Sequence, residues 1–136
     1  YITPQDFEAR IARSDFIEWA KVHSNYYGTS LSFVNEGTQE GKALLFDLDV
    51  QGADAMKKIF GARAHVIFIR PPSIEDLEKR LRGRATDPAH VIEERLKNAR
   101  IELTRAHDYD TLITNDEVER AYKELASIVA GQLKGR

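Results

Sequence analysis

The first part of the chain combines one helical pattern with a run of strand formers. Phe7 and Ile11 are four residues apart and follow a threonine and a proline, which predicts a helix from Pro4 to about Arg13. Residues 16–29 contain many β-formers and a Ser-Asn turn signal. We therefore expect two short antiparallel strands after the first helix.

The middle of the chain alternates between apolar runs and amphipathic helices. Ser30 is predicted to cap a helix that ends among residues 37–41. The apolar run at 43–46 is stopped by acidic residues, which is typical of a strand that is buried on both faces and ends at a loop. A helix then ends at Gly61, and residues 64–69 are a second predicted buried strand.

The second half of the chain repeats this alternation. Ser73 is predicted to cap a helix with acidic residues in its first turn, and a second amphipathic helix follows Pro88. A short strand at about 110–114 precedes a final amphipathic helix. Strands that alternate with helices favour a parallel sheet, so we expect an α/β fold. A chain of 136 residues has the length of one domain, and we expect residues 1–136 to form it.

Composition narrows the class of protein. Hydrophobic residues make up 42% of the chain and charged residues 31%, which is typical of globular proteins rather than of disordered ones. No apolar run reaches membrane-spanning length, and a net charge of −2 provides no broad basic surface, so we expect neither a membrane nor a nucleic-acid partner. The absence of cysteine excludes disulfides and thiolate metal sites and fits a cytoplasmic protein.

Two acidic residues follow the apolar run at 43–46. Ligands of parallel α/β sheets bind beyond the carboxyl ends of the strands, so Asp47 and Asp49 lie where chemistry is expected. Their carboxylates could hold hydrated Mg²⁺ or a ribose hydroxyl. A helix-capping aspartate beside a solvated neighbour is an equally good interpretation.

The densest basic cluster covers residues 79–84 and is followed by Arg95 on the next predicted helix. Arginine binds phosphate oxygens through two N–H groups, so several arginines that converge on one point suit a phosphoryl group in transfer. The alternative is a solvated helix end whose cations interact with the helix dipole, and composition alone favours it. A nucleic-acid contact is less favoured, because acidic residues are interleaved on the same helices.

The stretch at 16–29 also contains polar groups that suit a purine. Glu18 lies among apolar residues, and residues 26–29 combine tyrosine and threonine hydroxyls with a glycine. A carboxylate accepts both the N1–H and the amino group of guanine, a pair that adenine does not offer, and a threonine hydroxyl complements the guanine carbonyl. For isolated residues, a surface glutamate and ordinary strand tyrosines remain the favoured alternative.

Residues 37–42, Gly-Thr-Gln-Glu-Gly-Lys, are similar to a phosphate-binding loop but are one residue short and are followed by Ala43. The segment also precedes a predicted strand, whereas a phosphate loop follows a strand and begins a helix. We therefore assign no phosphate site to these residues.

Several motifs in one order resemble the guanylate kinase family over the whole chain. They are Phe-Ile-Glu-Trp-Ala at 16–20, Asn-Tyr-Tyr-Gly-Thr at 25–29, Asp-Leu-Asp-Val-Gln-Gly at 47–52, Ile-Arg-Pro-Pro-Ser at 69–73, Arg-Leu-Arg-Gly-Arg at 80–84 and Thr-Asn-Asp at 114–116. Ordered motifs are more specific than any single one. The resemblance implies the parallel sheet of P-loop nucleoside monophosphate kinases, with a small antiparallel GMP-binding part at about 1–32, a core at 33–136 and a helical lid at about 78–96.

The resemblance also implies roles for individual residues. Those expected to bind GMP are Tyr1, Glu18, Tyr27, Gly28, Thr29 and Asp49. Arg80, Arg84 and Arg95 are the expected catalytic arginines, and Arg80 and Arg84 are expected to bind ATP together with Asn115. Asp47 is expected to act on Mg²⁺ through water, and GMP and ATP are the expected small-molecule partners.

The activity implied by the resemblance is phosphoryl transfer from ATP to GMP, which gives ADP and GDP in purine nucleotide metabolism. The alternatives are a catalytically inactive guanylate-kinase-like module that binds partner proteins, or a fragment without function. Such modules tend to lose the lid arginines. The presence of Arg80, Arg84 and Arg95 together with Glu18 therefore favours the enzyme.

Two departures from the family pattern bear on activity. Ala85-Thr86 stands where the family usually has Gly-Thr, which we expect to alter lid flexibility. The resemblance places the glycine-rich loop that holds the ATP phosphates, and arginines that grip the GMP phosphate, before Tyr1. We therefore expect the natural protein to begin further upstream, this chain alone to be inactive, and the neighbours of the missing strand to expose apolar edges.

Overall fold

A computed structural model describes residues 1–22 and 24–135 of the chain. His23, in the predicted strand pair, and Arg136, at the end of the predicted domain, lie outside these ranges. In the described residues, helices are separated by short strands. None of these helices is both long and apolar enough to cross a membrane.

The described chain divides into two compact units, Tyr1–Ala64 and His65–Arg136. The first unit contains, in chain order, α1 (Pro4–Ala12), β1 (Phe16–Val22), β2 (Asn25–Ser30), α2 (Leu31–Gln39) and α3 (Val50–Phe60). Its end lies beyond residue 32, where the GMP-binding part was expected to stop. That boundary and the single domain across both units stay predictions.

Local signals define the helix ends of the first unit. The side chain of Thr3 accepts a hydrogen bond from the Asp6 amide at 3.1 Å and begins α1. Ser30 Oγ accepts from the Phe33 amide at 3.5 Å and begins α2, as predicted. Gly61 ends α3 with a φ of +55°, a conformation that glycine adopts without steric cost.

The two strands of the first unit form the predicted antiparallel hairpin, which packs on α1. Phe7 of α1 stacks on Phe16 of β1 with ring centroids 4.2 Å apart. The same ring stacks on Tyr26 of β2 at 4.9 Å. Because each such aromatic pair contributes about 0.5–1.5 kcal/mol beyond its buried area, α1 holds both strands of the hairpin.

The core of the first unit is formed by the hairpin, α2 and α3. Its buried residues are Ile17, Val34, Met56 and Phe60. Full burial of a side chain of this size stabilises the fold by roughly 1.5–3 kcal/mol. Leu44, Phe46 and Leu48 pack against the same cluster from the segment that precedes α3.

The apolar run at 43–46 does not form the predicted strand. Residues 42–49 adopt neither helix nor strand, their side chains alternate between the core and solvent, and Leu45 is 78% exposed. The prediction of a strand buried on both faces was wrong, because a strand needs a neighbour for its backbone hydrogen bonds and no described residue forms a ladder with this segment. Asp47 and Asp49 therefore lie in an extended loop rather than at a strand end.

The second unit contains, in chain order, β3 (Ile67–Arg70), α4 (Ile74–Gly83), α5 (Ala89–Thr104), β4 (Thr111–Thr114) and α6 (Val118–Lys134). β3 and β4 pair in parallel, as predicted, with Ile67 opposite Thr111 and Arg70 opposite Thr114. The first of these strands begins at Ile67 rather than at residue 64. The carboxyl ends of both strands therefore lie side by side.

Packing in the second unit joins α4 to α5. Leu81 of α4 lies in a buried cluster with Ile92 and Leu96 of α5. Ser73 Oγ accepts from the Asp76 amide at 3.0 Å and begins α4, as predicted. This packing fixes the orientation of the carboxyl-terminal turn of α4, which carries the arginine cluster.

Large apolar side chains are exposed in both units. They include Leu45 in the loop before α3, Ile69 in β3 and Val118 in α6. Exposed apolar edges were expected on the strands beside a missing strand, and of these three side chains only that of Ile69 lies in a strand. The assignment of these side chains to one missing neighbour stays a prediction.

Candidate functional site

A hydrogen-bonded pair on the hairpin brings together two residues that were expected to read guanine. Glu18 of β1 and Thr29 of β2 are opposite each other in the antiparallel register. The Thr29 hydroxyl donates to Glu18 Oε1 at 2.6 Å, and both residues are half-buried. The bond orients the carboxylate and leaves Oε2 able to accept hydrogen bonds from a ligand.

Tyr27 lies on the same face of the hairpin as this pair. Side chains two residues apart in a strand point to the same face, which places the Tyr27 ring beside Thr29. The residue opposite Tyr27 is Ala20, whose small side chain leaves the ring 59% exposed. Tyr1 is exposed and makes no hydrogen bond with the described residues. The hairpin therefore combines Glu18, Thr29 and Tyr27 on one face, and Tyr1 does not join them through a hydrogen bond.

Gly28 is required by packing. A Cβ at this position would lie 3.0 Å from the Glu18 carbonyl oxygen and 3.1 Å from the rings of Phe16 and Phe7. Such a contact is closer than ordinary van der Waals distance, so a side chain here would displace β1 or α1. Gly28 thus sets the spacing of the two strands that carry Glu18 and Thr29.

The two acidic residues of the loop before α3 have different surroundings. Asp49 is the N-cap of α3, and its Oδ1 accepts from the Gly52 amide at 2.8 Å. Asp47 is exposed and forms no hydrogen bond with the described residues. In residues 1–22 and 24–135, no group of three or more His, Asp or Glu side chains is arranged to hold a metal ion. Asp49 therefore has the helix-capping role that was considered as its alternative.

A cavity of about 230 Å³ lies in the second unit at the carboxyl ends of β3 and β4. Its lining residues are Ile69, Arg70, Pro71, Leu77, Arg80, Leu81, Arg84 and Asn115. The Arg80 guanidinium donates to the Asn115 carbonyl oxygen at 2.9 Å. The cavity therefore combines Arg80, Arg84 and Asn115, which are the residues that were expected to bind ATP.

The side chain of Asn115 has an unusual position in this cavity. Its Oδ1 atom is buried and lacks a hydrogen-bond partner in the described part of the chain. A buried polar atom without a partner costs about 1–3 kcal/mol, so such atoms are rare in folded proteins. A ligand that offers an N–H group to this cavity would satisfy the atom.

The arginines of the basic cluster have different partners. Arg84 lies at the carboxyl end of α4 and lines the cavity. Arg82 instead pairs with Glu78 at 2.7 Å and with Glu93 at 2.9 Å, contacts that raise its pKa above the ordinary arginine value. Arg95 pairs with Asp87 at 3.4 Å and does not line the cavity. The structure thus brings Arg80 and Arg84 to one site but not Arg95.

Comparison with known proteins identifies the family. The sequence model named Guanylate kinase matches residues 1–132. The chain belongs to the guanylate kinase family. A crystal structure of guanylate kinase from Anaplasma phagocytophilum aligns with 98% of this chain and 64% of its own chain, with a TM-score of 0.74 and 26% identity. The predicted fold, an α/β fold of the P-loop nucleoside monophosphate kinase type, is therefore confirmed.

Curated relatives from bacteria support the same family. A guanylate kinase of Syntrophotalea carbinolica is 46% identical over 132 residues, which are 97% of this chain and 62% of the relative. A guanylate kinase of Fusobacterium nucleatum is 45% identical over 98% of this chain and 72% of its own length. The chain therefore spans less than two thirds of the first of these relatives.

Sequence reasoning missed two arginines of this guanylate kinase family member, one that lines the cavity and one that contacts residues 114–116. Arg70 donates through Nε to the Thr114 hydroxyl at 3.0 Å and lines the cavity. Arg120 of α6 donates to the Thr114 carbonyl oxygen and to Asp116, and the bond lowers the pKa of the Asp116 carboxyl. The position of Arg70 at a strand end, directly before two prolines, was the available signal. Arg120 gave none, because its role depends on the fold of the preceding loop.

Proposed function

We propose that the protein that contains this chain transfers the γ-phosphoryl group of ATP to GMP and releases ADP and GDP. The observation that carries the proposal is the hydrogen-bonded Glu18–Thr29 pair on the hairpin of a guanylate kinase family member. The relatives named guanylate kinase support the same activity. No observation favours the inactive interaction module, because Glu18, Arg80 and Arg84 are all present. The cytoplasmic location stays a prediction.

On the GMP side, we assign base recognition to Glu18 and Thr29. The Glu18 carboxylate accepts hydrogen bonds from N1–H and the 2-amino group of guanine, and adenine lacks donors in that arrangement. The Thr29 hydroxyl donates its single proton to Glu18 and thereby orients the carboxylate. Tyr27, and Tyr1 as a further proposal, offer hydroxyl donors to the GMP phosphate, and Gly28 holds the strands at the required spacing.

On the ATP side, we assign base recognition to Asn115 and phosphate binding to Arg80 and Arg84. The unpartnered Oδ1 of Asn115 suits the 6-amino group of adenine, which is a hydrogen-bond donor. Arg80 uses one N–H group on the Asn115 carbonyl and retains others for phosphate oxygens. Positive charge beside the transferring phosphoryl group stabilises the transition state, in which negative charge is spread over the equatorial oxygens.

Arg95 and the acidic loop are assigned supporting roles. Arg95 pairs with Asp87 through Nη1, and its remaining N–H groups are proposed to contact phosphate. Asp49 caps α3 through one carboxylate oxygen, and the other oxygen is proposed to face the nucleotide. Mg²⁺ that arrives with ATP keeps several of its waters, so the single exposed carboxylate of Asp47 is sufficient to bind it through water.

The test is a coupled assay of the full-length protein with ATP and either GMP or AMP as acceptor. We expect GDP from GMP and at least ~100-fold lower kcat/KM with AMP, because two hydrogen bonds to the half-buried Glu18 carboxylate are lost. Equal turnover of GMP and AMP would contradict the proposed base recognition. Binding of GMP without any turnover of the full-length protein would instead support the interaction module.

A further inference from the structure

The loop that carries Asn115, defined here as residues 114–116, is held by hydrogen bonds from three directions. The backbone N–H of Asn115 donates to the Arg70 carbonyl oxygen at 2.7 Å, which extends the parallel pairing of β3 and β4 by one residue. The Arg70 side chain donates to the Thr114 hydroxyl at 3.0 Å. Arg80 donates to the Asn115 carbonyl oxygen from α4. The remaining hydrogen bonds come from a residue of α6.

Arg120 provides the contacts from α6. Its guanidinium donates through Nε to Asp116 Oδ1 at 2.9 Å and through Nη2 to the same oxygen at 2.6 Å. The same Nη2 group also donates to the Thr114 carbonyl oxygen. Glu124, one turn further along α6, accepts from Nη1 at 3.0 Å and orients the guanidinium. Arg120 therefore bridges both ends of the Asn115 loop.

These contacts fix the backbone from which the side chain of Asn115 extends. The Thr114 carbonyl accepts a hydrogen bond from Arg120, and the Asn115 carbonyl accepts one from Arg80. Neither peptide plane can therefore rotate freely. A rotation of either plane would move the backbone from which the Asn115 side chain extends. The loop contacts thus oppose the relaxation that an unpartnered buried oxygen would otherwise undergo.

We propose that Arg120 is a positioning residue that holds Asn115 at the wall of the cavity, so that its side-chain oxygen accepts a hydrogen bond from the 6-amino group of an adenine nucleotide. The inference rests on the proposed function for the identity of the nucleotide. It extends that function by assigning selectivity for the phosphoryl donor to a residue outside the cavity, since Arg120 does not line it.

The expected consequences differ from those of an ordinary surface ion pair. Arg120 is about half exposed, with a side-chain accessibility of 45%, and exposed ion pairs contribute little to stability. Its removal should therefore shift the melting temperature little. Removal should, however, release the Thr114 carbonyl and let the Asn115 side chain turn to solvent, which weakens binding only of ligands that donate to Oδ1.

The test compares ATP with purine riboside triphosphate, which lacks the 6-amino group, as ligands of the full-length protein. We expect the wild-type protein to bind ATP about 10-fold more tightly, the ratio expected for one hydrogen bond to a buried acceptor. In Arg120→Met the preference should fall below ~3-fold through weaker ATP binding, with unchanged affinity for purine riboside triphosphate. Arg82→Met is the matched control, because Arg82 is an equally exposed arginine in ion pairs that contacts neither the loop nor the cavity.

Each outcome tests either the positioning role of Arg120 or the contact of Asn115 with adenine. A full ATP preference in Arg120→Met, or equal weakening for both ligands, overturns the positioning role and leaves the proposed function intact. No preference in the wild-type protein overturns the adenine contact itself, whereas GMP phosphorylation remains testable by the coupled assay.

Arg120→Lys provides a second variant if the methionine variant folds poorly, because lysine keeps the charge but cannot bridge Thr114 and Asp116. A reduced ATP preference in this variant supports the role, and a wild-type preference contradicts it.

Discussion

The hairpin of the first unit and the cavity of the second differ in how complete they are without ligand. In the hairpin, Glu18 already has its partner, since Thr29 donates to it and aromatic stacking on Phe7 fixes both strands. In the cavity, the Asn115 oxygen has no partner among the described residues. The first site is therefore organised by internal contacts, and the second retains binding capacity that its own side chains do not satisfy.

This difference separates two kinds of recognition. A carboxylate that is oriented before binding loses little entropy when guanine arrives, which favours selectivity between bases. Arginines that contact the transferring phosphoryl group stabilise charge that develops there, so their contribution belongs to the transition state rather than to the free protein. Substitutions in the hairpin should thus change which acceptor is used, whereas substitutions in the cavity should change how fast it reacts.

The largest effect is expected for Arg84. Arg84→Ala should lower kcat of the full-length protein by an amount equivalent to about 3–4 kcal/mol of barrier, as expected for one preorganised donor to the phosphoryl group. Arg82→Ala is the matched control, because Arg82 is paired with Glu78 and Glu93. Steady-state kinetics with ATP and GMP measure both. An unchanged kcat in Arg84→Ala would remove Arg84 from the mechanism.

The next effect concerns selectivity at the hairpin. Glu18→Gln should reduce the preference for GMP over AMP by roughly 10–100-fold, since an amide cannot accept both donors of guanine. Glu8→Gln is the control. Glu8 of α1 also accepts a hydrogen bond from a hydroxyl group, that of Tyr26 in the same hairpin, at 2.8 Å. The ratio of kcat/KM for the two acceptors is the measurement. A Glu18→Gln variant with wild-type selectivity would place base recognition elsewhere.

The third effect is on stability of the hairpin. Gly28→Ala should lower the free energy of unfolding by about 1–3 kcal/mol, because the added methyl group meets backbone and two rings. Gly131→Ala in α6 is the contrast, since nothing lies within 4 Å of a Cβ there, and it should stabilise by about 0.5–1 kcal/mol. Urea unfolding followed by circular dichroism measures both. Equal effects of the two substitutions would contradict the close packing at Gly28.

The smallest effect is expected beside the arginine cluster. Ala85 has a φ of +50°, a left-handed conformation that costs a non-glycine residue about 1–2 kcal/mol. Ala85→Gly should therefore raise the free energy of unfolding by about 0.5 kcal/mol after the added entropy of the unfolded chain is counted. Ala126→Gly, in the middle of α6, should destabilise by about 1 kcal/mol. Destabilisation by both substitutions, measured by thermal unfolding, would show that Ala85 is not strained.

Local signals in the sequence were sufficient for most elements of the fold. Thr3, Ser30 and Ser73 each accept the capping hydrogen bond that their position before a helix predicted. Gly61 ends its helix as expected. These contacts join residues three or four positions apart, so the sequence itself contains both partners. The hairpin was predicted for the same reason, since its strands are adjacent in the chain.

Features that depend on distant partners could not be predicted in the same way. The apolar run at 43–46 has the composition of a strand, yet no described residue pairs with its backbone. The guanidinium of Arg95 is a group that commonly binds phosphate, yet its partner in the structure is Asp87. The buried oxygen of Asn115 depends on arginines from α4 and α6. Sequence pattern indicates which groups are present, and only the fold determines which of them meet.

The most direct test of the account compares GMP with IMP, which lacks only the 2-amino group of guanine, as acceptors for the full-length protein and its Glu18→Gln variant. The account predicts that the wild-type protein prefers GMP by about 10-fold in kcat/KM, the contribution of one hydrogen bond to a charged acceptor. In Glu18→Gln the preference should fall to near unity. A GMP preference that is the same in both proteins would contradict recognition of guanine by the Glu18–Thr29 pair.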